Sequence, residues 1–135
     1  MSVERAFIDT NVIVYLLSGD RAKADRAEAV VAGGGVVSVQ VLNEFVSVAR
    51  RKLALGWPEV REVLRAVRAN CTVAALTAEI HDRALAVAET TGIHIYDAAI
   101  VAAAGANGCT LLYTEDLTHG QRIGGVRVAN PFKPA

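Results

Sequence analysis

Ala6-Phe7-Ile8-Asp9-Thr10-Asn11 is the stretch that decides the fold. Three apolar residues run directly into a carboxylate. A run this short and this uniformly apolar does not alternate, so it reads as a strand covered on both faces, the kind that parallel sheets are made of. Asp9 then stands at the carboxyl end of that strand, the edge at which open α/β sheets collect ligands.

Outward from this strand, helical and strand patterns alternate. Helices are predicted over 11–17 and 20–32. Gly33-Gly34-Gly35 reads as a helix stop and turn, and Val36-Val37 as a second strand. Ser38 is a suitable N-cap for a helix over 39–53, and Trp57-Pro58 opens another that runs to 69, with proline in its favoured first turn. A strand over 72–76 is followed by Thr77, which can cap a helix over 78–90. An alanine-rich helix over 97–106 leads into strands over 109–113 and 126–128. Apolar strands separated by helices predict an α/β fold with a parallel sheet of about five strands and helices on both faces.

Composition limits what such a fold is for. The 135 residues are 53% hydrophobic and 21% charged, enough to build a core and too apolar for a disordered chain, and they read as one domain over 1–135. Fourteen basic and fourteen acidic residues give no net charge. That excludes a global basic field but not a local one, because acids gathered in one pocket leave cations in excess elsewhere. Cys71 and Cys109 have no CxxC spacing, so neither a zinc site nor a disulfide framework is expected. They read as small buried hydrophobes of a protein in a reducing compartment. Residues 1–8 carry Glu4 and Arg5 and no apolar signal core, and the longest apolar stretch, 98–104, is far too short to span a bilayer. The expectation is a cytoplasmic protein with no membrane association.

Three further acids join Asp9. Asp116 follows the apolar strand that ends at Tyr113 by three residues. Asp97 opens a helix, where the helix dipole favours a carboxylate. Glu44 lies on the border of the apolar face that Val41, Leu42, Phe45, Val48 and Ala49 form on the 39–53 helix, and can reach along the surface into a cleft. Taken singly, each acid has an ordinary reading as a cap, a turn residue or a solvated side chain. Together they predict a site, because carboxylates gathered within a few ångströms repel one another unless a hard divalent cation relieves them. Such an ion acidifies a bound water and stabilises charge on a phosphodiester, so no serine or cysteine nucleophile is needed.

These residues resemble the PIN-domain family of metal-dependent nucleases, and within it the VapC toxins of type II toxin–antitoxin systems. Phe7-Ile8-Asp9-Thr10-Asn11 is similar to the family's first motif, and Ser38-Val39-Gln40-Val41-Leu42-Asn43-Glu44-Phe45 to its second. Tyr96-Asp97-Ala98-Ala99-Ile100 is similar to the third, and Tyr113-Thr114-Glu115-Asp116-Leu117 to the fourth. The tail from His119-Gly120-Gln121 to Asn130-Pro131-Phe132 resembles VapC-type endings. The resemblance implies a three-layer α/β/α sandwich and one or two Mg²⁺ or Mn²⁺ ions. It implies hydrolysis of single-stranded or structured RNA such as tRNA, and a homodimer neutralised by a VapB-like antitoxin. Carried over by position, Asp9 and Asp97 are direct metal ligands. Glu44 and Asp116 bind metal directly or through water, or orient the attacking water. Asn11 and Thr114 hold a carboxylate or a water by hydrogen bond.

The alternative within the same fold is a catalytically silent PIN-like module that binds RNA or protein. A receiver domain and a haloacid-dehalogenase-like phosphatase are disfavoured by motif. The 72–76 strand ends without an acid, and the second position after Asp9 is Asn11 rather than aspartate. Arg61, Arg65 and Arg68 form one helical stripe, read either as a solvated face or as RNA or antitoxin contacts. His81, His94 and His119 lack metal-ligand spacing and read as non-catalytic. Tyr96 and Trp57 read as core or interface packing residues, with stacking on a base as the alternative.

Overall fold

The chain begins its sheet in the middle. The computed structural model describes residues 4–133. In it, β1 (Ala6–Ile8) is followed by α1 (Thr10–Val14), a 3-10 turn (Tyr15–Leu17), α2 (Arg21–Ala32) and β2 (Gly35–Ser38). Then come α3 (Val39–Arg51), α4 (Trp57–Asn70), β3 (Cys71–Ala74), α5 (Ala78–Thr91), α6 (Ile95–Ala106), β4 (Leu111–Tyr113), β5 (Arg122–Ile123) and β6 (Val126–Ala129). The sheet order is β3-β2-β1-β4-β6-β5. The chain therefore builds outward to β3 on one side of β1, then returns to lay β4 on the other. The break in direction lies between β1 and β4, and at such a switch point the loops leave on opposite sides and open a crevice beyond the strand ends.

Register aligns the two strands that flank this crevice. Ile8 pairs with Tyr113, and the Asp9 amide donates to the Tyr113 carbonyl at 3.0 Å. Asp9 and Thr114 thus emerge side by side. Local chemistry sets the helix starts as the sequence predicts. The Ser38 hydroxyl accepts the Val41 amide at 3.2 Å, and the Thr77 hydroxyl accepts that of Ile80 at 3.1 Å. Gly35 is required where β2 meets β1. Its φ is +145°, and a Cβ there would lie 2.7 Å from the Ala6 carbonyl oxygen. The core is formed by Phe7, Ile8, Ile13, Val36, Val37, Phe45, Leu112 and Val128, all fully buried. α6 packs against α5, β4 and β6, and its buried alanines allow the close approach.

Four expectations are corrected in detail. The sheet has six strands: five are parallel, and β5 runs antiparallel to β6. Two residues, one of them charged, carry no readable period, so β5 left no sequence signal. The helix expected over 11–17 ends at Val14 and tightens into a 3-10 turn. α6 starts at Ile95 because the His94 ring caps it, Nδ1 accepting the Tyr96 amide at 3.1 Å, so Asp97 is the third helical residue rather than the first. Of the core or interface packing expected for Tyr96 and Trp57, the core half is corrected, since they are 68% and 53% exposed, with the Arg50 guanidinium over the Trp57 ring at 4.4 Å. Cys71 and Cys109 are free and buried. Among the described residues, no helix is long and apolar enough to cross a membrane.

Candidate active site at the β1–β4 crevice

Asp9 is 5% exposed and is the best anchored of the acids. Its Oδ1 accepts the Thr10 amide at 2.7 Å, which caps α1. Its Oδ2 accepts the Thr114 hydroxyl at 2.8 Å and the Asn11 amide nitrogen at 3.5 Å. Thr114 is fully buried and serves three partners. Its hydroxyl donates to Asp9 and accepts from Asn11 Nδ2 and from the Asp116 amide, both at 3.1 Å. One donor and two acceptors is all that a hydroxyl has, so its orientation is determined. Asn11 is oriented as well, because its Oδ1 accepts the Glu115 amide at 3.3 Å, which leaves its NH₂ facing the carboxylate. Of four lone pairs on the Asp9 carboxylate, three are engaged and one remains for a ligand.

Glu44 reaches the same crevice from α3. The Thr10 hydroxyl donates to its Oε2 at 2.8 Å, and the Gln40 amide to its Oε1 at 2.9 Å. Thr10 thereby bridges the two acids, its backbone on Asp9 and its side chain on Glu44. Asp97, at the start of α6, and Asp116, beyond β4, complete the group. Among the described residues, no hydrogen bond reaches either of their carboxylates.

Electrostatics shows that the four share one field. Asp9 is pushed up from 3.8 to about 6, first by burial and further by Asp116 and Glu44, while the Thr10 and Thr114 bonds oppose the rise. Asp97 is also raised, first by burial, then by Asp116, with His94 pulling the other way and Glu44 adding to the rise. None of these acids has a salt-bridge partner among the described residues. Among the described residues, the one ion pair joins Arg127 to Glu4 at 3.2 Å.

An all-oxygen, anionic set of this kind suits a hard divalent cation and not zinc. Among the described residues, no three His, Cys, Asp or Glu side chains form a group that could hold a metal ion between them. That still fits Mg²⁺, which keeps several of its waters and takes one or two carboxylates directly. Asp9, with its spare lone pair, and Asp97, with its unbonded carboxylate, are the side chains suited to direct ligation. Glu44 and Asp116 are suited to hold coordinated water.

Of the six residues expected at the site, hydrogen bonds join Asp9, Asn11 and Thr114 and tie Glu44 to them through Thr10, while Asp116 and Asp97 are linked to this group through the charge that Asp116 exerts on Asp9 and that Asp116 and Glu44 exert on Asp97. Arg61, Arg65 and Arg68 do not. They are exposed on α4 around a separate shallow hollow that also includes Leu64 and Ala69. Sequence reasoning missed Thr10 and Gln40. Gln40 was open to detection from its i, i+4 spacing to Glu44 on one helix. Thr10 carried no such signal, since its partner lies on another helix.

The profile of the PIN domain family matches residues 6–121, and the chain belongs to that family. No curated protein matches it in sequence. Among solved structures, it is similar to a toxin–antitoxin complex from Klebsiella pneumoniae, with 22% identity, TM-score 0.72, and 96% of this chain and 99% of that one covered. It is similar to DNA-bound VapBC from Salmonella typhimurium at 18% identity and TM-score 0.70, over 96% and 99% of the two chains. A third likeness is to VapC20 of Mycobacterium tuberculosis, a sarcin–ricin loop cleaving toxin, at 20% identity and TM-score 0.61, over 82% and 89%. At these identities the shared property is the fold.

Proposed function

We propose that this protein is a Mg²⁺- or Mn²⁺-dependent endoribonuclease that hydrolyses phosphodiester bonds in single-stranded or structured RNA. It acts as a single-domain, VapC-type toxin in the cytoplasm, as a homodimer held inactive by a VapB-like antitoxin. The observation that carries this reading is the buried carboxylate of Asp9, held by Thr10, Asn11 and Thr114 in a crevice where Glu44 and Asp116 add further negative charge. The likeness to toxin–antitoxin complexes supports the biological role.

When bound, the metal would supply an acidified water and stabilise charge on the phosphodiester. The protein's own residues do the rest. Asp9, oriented by Thr114 and Asn11, offers a fixed ligand position with little motion left to lose. Asp97 contributes a second carboxylate from α6, and Glu44 and Asp116 orient water by hydrogen bond.

The test is RNA cleavage with Mg²⁺ or Mn²⁺, with and without EDTA, beside Asp9→Ala. Cleavage that needs metal and disappears in the variant is expected. Cleavage that survives EDTA or Asp9→Ala overturns the chemistry, and RNA binding without cleavage by the wild type would leave a silent binding module. The arginine stripe of α4 is proposed as a phosphate or antitoxin contact. The double variant Arg61→Glu/Arg65→Glu should weaken RNA cleavage or antitoxin binding, and unchanged values for both would remove the stripe from the function.

A further inference from the structure

Beside the acids lies a second feature of different chemistry. A hollow of about 660 Å³ is walled by Gln40 and Glu44 of α3, by Leu76, by His81 of α5, and by Tyr96 and Ala99 of α6. Its lining is almost wholly apolar. Glu44 belongs to both places: one side of its carboxylate is held by the hydroxyl of Thr10, whose amide donates to Asp9, and its side chain forms part of the hollow wall. Two large apolar side chains at the hollow stay in water, Leu76 at 51% and Tyr96 at 68% exposure. Tyr96 is nevertheless braced. Its ring packs edge-on against His94, with centroids 4.9 Å apart at 73°, and His94 is itself held as the cap of α6.

We propose that this hollow receives a nucleobase of the RNA, one flanking the scissile phosphate, and that Tyr96 is a specificity-determining residue on which the base stacks. The proposal rests on the ribonuclease reading above. Three observations favour a base over other occupants. The hollow adjoins the acid group through a shared residue, so a strand whose phosphate sits at the acids has its neighbouring base beside the hollow. Its volume falls within the range of small-ligand sites, roughly 300–1,000 Å³, and leaves room for a base with its sugar. A neutral, flat base enters an apolar hollow next to four carboxylates without a charge penalty, and an exposed, braced aromatic ring is the standard platform for an unstacked base. Polar readout is sparse. Gln40 donates its NH₂ to Glu44, which leaves its carbonyl oxygen free as an acceptor, and His81 supplies a ring nitrogen. Discrimination should therefore follow stacking more than hydrogen bonding.

The test uses the full-length protein and a pool of short single-stranded RNAs of random sequence, with the 5′ ends of products mapped and KM measured on one cleaved oligonucleotide. Tyr96→Ala removes the platform, Tyr96→Phe keeps it, and Ala99→Phe fills the hollow from α6, with thermal melting checking that each variant folds. The expected result is a base preference at one position beside the cut that flattens in Tyr96→Ala and Ala99→Phe. KM should rise about ten-fold, with kcat falling less, while Tyr96→Phe behaves as wild type. An abasic site at that position should raise the wild-type KM similarly. Unchanged preference and KM in both disruptive variants would overturn this assignment alone. Loss of self-association in those variants with cleavage preference intact would overturn it in favour of a protein contact. Failure of the wild type to cut any RNA with Mg²⁺ or Mn²⁺ would overturn the ribonuclease reading first, and this assignment with it.

Discussion

The two halves of the acid group are built differently. Asp9 and Glu44 are knitted into the protein by Thr10, Asn11, Thr114 and Gln40, and Asp9 is almost entirely buried. Asp97 and Asp116 face the same crevice from α6 and from the loop after β4, and among the described residues no donor holds their carboxylates. A knitted acid is positioned before any ligand arrives, at the cost of an unfavourable charge. A free acid costs the fold little and can turn toward a cation. A site assembled from both kinds gains a fixed reference point and an adaptable one.

The largest test of this contrast is Asp97→Asn. Removing the free ligand should lower metal-dependent cleavage on the order of 1,000-fold, the equivalent of several kcal/mol of charge stabilisation. Thermal stability of the metal-free protein should hold or rise, because a repelling charge is gone. A large loss of stability would show that Asp97 is structural after all and would erase the distinction.

Next is the pH dependence of the knitted half. Asp9 is raised in the folded protein, so the fold holds its proton over a range where the unfolded chain has lost it. Stability is therefore fully present below pH 4 and lost as pH rises to about 6, the value for the folded protein. In EDTA, that contribution amounts to about 3 kcal/mol, and Asp97, raised in the same direction, adds with the same sign. Denaturant unfolding across this range measures it, and Asp9→Asn should flatten most of it. A wild-type profile from which Asp9→Asn removes nothing would place the charge elsewhere.

Thr114→Val tests the knot itself. It strips one donated and two accepted hydrogen bonds from a fully buried position and leaves Asp9, Asn11 and the Asp116 amide each short of a partner. We expect a loss of about 2 kcal/mol in stability, and metal affinity measured by calorimetry lower by roughly 10- to 100-fold. The smallest effect should come from Gln40→Ala. Glu44 keeps its bond from Thr10, so chemical denaturation should register only about 0.5 kcal/mol. A loss as large as that of Thr114→Val would mean that the helical pair, and not the Thr10 hydroxyl, fixes Glu44.

The amino-acid sequence by itself determined the elements and their chemistry. Ser38 and Thr77 announce their helices because a capping hydroxyl acts on an amide three residues away, and Ala6-Phe7-Ile8 announces a covered strand because its three residues are all apolar. Asp9, Asp97 and Asp116 stand out in the sequence because each sits near the end of such an element, and Glu44 because it borders the apolar face of α3. Only the tertiary structure decided strand order, the antiparallel β5 and the earlier start of α6. It alone joined Thr114 to Asp9 across 105 positions of chain, joined Thr10 to Glu44 across 34, and opened the apolar hollow beside Glu44. The physical reason is range. Caps and periodicity act over a few residues, whereas burial of a carboxylate and the bonds that orient it depend on side chains that only packing of the whole sheet brings together.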